Sequence, residues 1–104
     1  MAAPYNPPVK NQDFIFRTSL EDYVTPGRHK VSPTIAAGDF KVDKDGGGLN
    51  NLTTLPTVDP TGTQLVKITL SSTEMNADVV TLVCKDQTSP PEWCDMVISI
   101  LTTV

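Results

Sequence analysis

A chain of 104 residues with 38% hydrophobic side chains holds material for one core and not for two. Its net charge of −4, without a clustered basic face, argues against nucleic-acid binding, and no apolar run approaches the ~20 residues of a membrane span. With 2 cysteines and 1 histidine, no zinc site and no cofactor are expected.

Residues 1–12 carry three of the nine prolines and few core-type side chains. Met1 to Pro8 has neither a basic nor an apolar signal region, so folding in a cytoplasm is expected. Pro-rich sequence favours extended backbone. Residues 1–12 therefore read as an extended N-terminal arm, either a tail or a segment ordered by lying along a partner or its own domain. Pro4, Tyr5, Pro7 and Pro8 are its candidate partner-binding residues.

Residues 13–104 read as a single β-sandwich domain. Asp13 to Thr18 is a first strand with Phe14, Phe16 and Thr18 on one face. Residues 19–33 read as a long loop with a type II turn at Pro26-Gly27 and a candidate short strand at Tyr23-Val24. A loop this long is often functional, and its Arg28 is a candidate contact. Phe40 and Val42 share a face of the next strand, Asp39 to Lys44; Asp45-Gly46 then offers the positive φ values of a tight I′-like turn. Leu49 to Leu55 is the returning strand, and residues 56–62 a loop. Leu65 to Leu70, Val79 to Cys84 and Trp93 to Leu101 alternate apolar and polar residues at period two. Between the first two of these, Ser71-Ser72-Thr73-Glu74 matches a capping box and predicts one helical turn with Met75 in the core. Seven or so short strands separated by Gly, Pro and Asn turns predict an all-β, immunoglobulin-like antiparallel sandwich.

If the last two strands form a hairpin centred on residue 89, Cys84 faces Cys94 and Leu82 faces Met96. Antiparallel pairs come close enough for a disulfide, so the cysteines are either bridged or two small buried thiols, as an intracellular origin favours. His29 has no nucleophile motif around it and reads as a solvated loop residue. Asp43 to Thr54 lacks the fifth and twelfth ligands of a calcium loop, leaving a turn. Trp93, beside Pro90-Pro91-Glu92, is either an exposed anchor for a partner or a cover over one end of the core. No phosphate loop, paired carboxylates or cofactor box is visible, so enzymatic activity is not expected.

Residues 33–42, Lys44-Asp45-Gly46-Gly47-Gly48 and 51–58 are familiar as a set. With them go Val66 to Asp78 and Glu92-Trp93-Cys94-Asp95. Together they resemble a small β-domain of tailed-bacteriophage structural proteins, over residues 33–103. The resemblance implies a virion component made in the host bacterial cytoplasm. The leading expectation is a capsid decoration (cement) protein on the head surface, binding the major capsid protein or another virion protein, with a homo-oligomer on the particle as an option. A neck or tail module that anchors a fibre is the second. A carbohydrate- or host-surface-binding domain using Trp93 and the 19–33 loop is the third.

Overall fold

The computed structural model describes residues 7–103. Among them the regular elements are all strands, arranged as two antiparallel sheets, an architecture consistent with a β-sandwich. The strands are β1 (Phe14–Thr18), β2 (Phe40–Lys44), β3 (Leu49–Asn51), β4 (Thr57–Val58), β5 (Val66–Leu70), β6 (Val79–Cys84) and β7 (Met96–Leu101). One sheet has the order β1-β5-β4 and the other β3-β2-β6-β7.

The period-two alternation works as expected from sequence. Val66, Ile68 and Leu70 of β5 are buried, as are Val80, Leu82 and Cys84 of β6 and Phe40 and Val42 of β2. Each fully buried side chain of this size contributes about 1.5–3 kcal/mol relative to exposure. Phe14 and Phe16 stack with ring centroids 5.3 Å apart and pack half-buried against the core. The β2–β3 connection is the I′-type turn that Asp-Gly predicts: Asp45 and Gly46 have φ of 52° and 79°, and Gly47 N–H donates to the Lys44 carbonyl at 2.9 Å.

Five local expectations need correction. Thr57-Val58, read as loop, pairs with β5 as an edge strand. The strand after the Asp-Gly turn ends at Asn51, because Thr53 N–H is drawn off to the Glu74 carboxylate at 2.9 Å. The segment between β5 and β6, by contrast, is the one helical turn expected: Ser71 and Glu74 exchange the reciprocal capping-box bonds, Met75 N–H donates to the Ser71 carbonyl at 2.9 Å, and Met75 is fully buried. The 19–33 loop is folded into a small hairpin. Glu21 bridges His29 around the Pro26-Gly27 turn, where Gly27 has φ 93° and Arg28 N–H donates to Thr25. The short strand expected at Tyr23-Val24 is a bend beside that bridge.

The fifth correction concerns the β6–β7 register. Cys84 lies opposite Met96, Leu82 opposite Ile98 and Val80 opposite Ile100, so the hairpin centres on residue 90 rather than 89. A two-residue slip keeps every side chain on its own face, so apolar pattern alone does not resolve it. What decides it is that Trp93 and Cys94 are taken by the 20–30 hairpin: Asp22 bridges Trp93, and Cys94 N–H donates to Glu21 at 2.9 Å.

Candidate functional site

Three segments converge where β6 ends and β7 begins: the 20–30 hairpin, residues 34–39 and the 85–95 connection. Side-chain carboxylates hold them together. Asp39, buried, accepts from Ala36 N–H at 2.9 Å and Gln87 N–H at 3.0 Å. Asp86, buried, accepts from the N–H and hydroxyl of Thr88 and from Glu92 N–H at 2.7 Å. Glu92 in turn receives Thr34 N–H at 3.0 Å, while its carbonyl receives Tyr23 N–H at 3.1 Å. Burial opposes ionisation of Asp86, but the N–H groups of Glu92 and Thr88 and the Thr88 hydroxyl outweigh it and hold the carboxyl below its usual range. A recess of about 540 Å³ opens beside these segments, lined in part by Tyr23, Lys85, Gln87, Trp93 and Asp95.

The candidate binding residues do not assemble into one site. Pro4 and Tyr5 lie outside the described residues. Pro7 is exposed, whereas Pro8 is half-buried and its carbonyl accepts Thr103 N–H at 2.8 Å. Val9 bridges Thr103 in parallel, Lys10 N–H donates to Thr103 at 2.7 Å and Asn11 N–H to Met75 at 3.0 Å. Residues 8–11 are therefore held by their own domain. Arg28 is exposed at the tip of the 20–30 hairpin, facing solvent beside His29 and Lys30.

Trp93 is not an exposed anchor. It is fully buried, its ring centroid 6.1 Å from that of Phe40, and its Nε1–H has no hydrogen-bond partner among the described residues. Aromatic area at this end is instead offered by Tyr23, half-exposed on the hairpin. Sequence reasoning missed Tyr23 because exposure is a property of how the hairpin docks, not of the residue.

Cys84 and Cys94 are free thiols and lie out of register for a bridge. Burial pushes the Cys84 thiol up to about 12. Cys94 is also raised, by burial and then by the carboxylates of Glu21, Asp95 and Asp22. The thiolate is the nucleophile and the metal ligand, so both sites resist that chemistry. Among the described residues no His, Cys, Asp or Glu cluster has the geometry to hold a metal ion, and no helix is long and apolar enough to cross a membrane.

At the opposite end, Asp45 accepts from Asp78 N–H at 3.1 Å and Val79 N–H at 2.9 Å, and these bonds hold its carboxyl below the usual range. The Asp-Gly-Gly-Gly turn is thereby tied to the Met75 to Asp78 corner. No protein-family model, curated protein or solved structure matches this chain.

Proposed function

We propose that this protein is a bacteriophage virion structural protein, a capsid decoration (cement) protein that binds the head shell through its N-terminal residues and a sandwich edge. The strand order fits an immunoglobulin-like sandwich if β1 to β7 are taken as strands B, C, C′, D, E, F and G, giving B-E-D against C′-C-F-G. The extended arm is then residues 1–12, of which 8–11 lie against the domain.

One observation carries this reading. The motifs that resemble the phage β-domain act in this chain as fasteners of the fold. Asp45 of the glycine turn binds the amides of the Asn-Ala-Asp corner, Glu74 binds Ser71 and Thr53, and Trp93 fills the core. Motif residues spent on fold rigidity suit a protein that works by adhesion, adding buried area across shell subunits so that separating them costs more.

The test is the location and number of copies on purified particles. A copy number comparable to that of the shell subunit supports decoration. A few copies at a single vertex would move the protein to the neck or tail as a fibre anchor. Removing residues 2–6 should abolish particle binding and leave the fold intact. Removing 1–12 would be a poor test, because it also deletes the bonds to Thr103 and Met75.

A further inference from the structure

We propose that the recess between the 20–30 hairpin and the 85–95 connection binds a neutral mono- or disaccharide, with the Tyr23 ring as its stacking face. This rests on the recess itself and not on the virion reading.

The walls of the recess are fixed by bonds to the backbone. Tyr23 N–H donates to the Glu92 carbonyl at 3.1 Å and Asp22 bridges Trp93, which anchors the hairpin side. Lys85 N–H donates to the Asp39 carbonyl at 2.8 Å, while the Asp39 and Asp86 carboxylates hold the N–H groups of Gln87 and Thr88. Fully buried Trp93 backs the space. Its volume of about 540 Å³ falls within the range of small-molecule sites, about 300–1,000 Å³. Walls already in place spare a ligand the cost of ordering them.

The side chains left at the rim define the ligand. Tyr23 is 50% exposed, and Pro91 adds apolar area beside it. Lys85 follows and Asp95 precedes the last β6–β7 pair, Cys84–Met96. Both are exposed, and neither charge has a hydrogen-bond or ion-pair partner among the described residues. Gln87 directs its Nε2 to the carbonyls of Lys85 and Gly38, at 3.1 and 3.5 Å, and keeps its Oε1 as an acceptor. The rim therefore offers one ammonium donor, one carboxylate and one amide oxygen around an aromatic ring.

That set discriminates between ligand classes. An anion would meet Asp95 and a cation would meet Lys85, whereas an apolar ligand would strip both of water and return nothing. Asp86 does not tip the balance, because its oxygens are occupied by Thr88 and Glu92. A peptide added as a strand needs open amides, and those of Gln87, Thr88, Glu92 and Cys94 are already bonded. A sugar ring satisfies every group: its C–H face packs on the electron-rich face of Tyr23, and its hydroxyls donate to Asp95 and Gln87 and accept from Lys85.

The chain's single tryptophan lines the recess, so Trp93 emission from the full chain reports occupancy. The probes are maltose, cellobiose, lactose and N,N′-diacetylchitobiose, each titrated to about 10 mM, the weak end of ligand binding. At least one should change the emission saturably, with amide NMR shifts confined to residues 21–23 and 85–95. Tyr23→Ala should weaken that binding at least about tenfold, and Tyr23→Phe, which keeps the ring, should retain it. Asp95→Asn should weaken it several-fold. Asp95 is exposed, so the urea midpoint of Asp95→Asn should match that of the unaltered chain, and this variant decides the case if Tyr23→Ala disturbs the hairpin. Failure of all four sugars overturns the proposal, as does binding indifferent to both Tyr23→Ala and Asp95→Asn. A proline-containing tetrapeptide that shifts the same amides where no sugar does would make the recess a peptide site and also overturn it.

Discussion

The 85–95 connection and the β7 edge are neighbours in sequence, and they treat the backbone in opposite ways. In the connection, buried Asp39 and Asp86 and half-buried Glu92 bond amide groups that no strand serves, so the N–H groups of Gln87, Thr88 and Glu92 in an irregular segment are satisfied, as is Thr34 N–H beside it. Along β7 the outward groups of Val97, Ser99 and Leu101 are regular and apolar-flanked, and have no backbone partner among the described residues. Satisfying a buried donor avoids a penalty of about 1–3 kcal/mol, which is why carboxylates recur at the loops. A strand edge facing solvent carries no such penalty and can remain open. Side-chain bonds to the backbone are thus concentrated at the loop end.

The contrast can be broken most severely at Trp93. Trp93→Ala should lower stability by about 3–5 kcal/mol in urea unfolding, collapsing the packing of the 20–30 hairpin on the core. Trp93→Phe should lose roughly half as much or less, since it also removes an N–H that is buried without a partner.

Asp86→Asn is the intermediate case, about 1–3 kcal/mol at neutral pH. Because the folded carboxyl is held below its usual range, its stabilisation is fully present above about pH 5 and is lost as pH falls through the lowered value. Unfolding free energies of the variant and the unaltered chain should therefore converge in acid and stay apart at neutral pH. A difference that does not change between the two would show that the charge is not what latches the connection.

Smallest of all is Arg17→Ala. The Arg17–Asp59 pair is 2.8 Å long, but both side chains are close to half-exposed, at 46% and 43%. Its loss should cost less than about 1 kcal/mol and less still in high salt. The substitution should barely move the melting temperature.

Much of the fold was legible because strand alternation is a local property. The inward sets Val66-Ile68-Leu70, Val80-Leu82-Cys84 and Phe40-Val42 follow from period two, as do the Asp45-Gly46 turn and the Pro26-Gly27 turn from their φ requirements. The candidate site was less legible. Of the two roles its sequence left open, Trp93 takes the cover over the core, and the aromatic ring that faces solvent at this end is Tyr23. Cys84 and Cys94 miss each other because Trp93 and Cys94 bond to the 20–30 hairpin and β7 starts only at Met96.

The amino-acid order alone therefore determined the class of fold, which residues form the core stripes and where the tightest turns fall, since each depends on neighbours two to four positions apart. Tertiary structure alone decided the β6–β7 register, the small strand at Thr57-Val58, the docking of the 20–30 hairpin and the bonding of residues 8–10 to Thr103. All four depend on bonds between residues far apart in the chain, and a pattern that repeats every two residues is blind to which of several even-numbered alignments those bonds select.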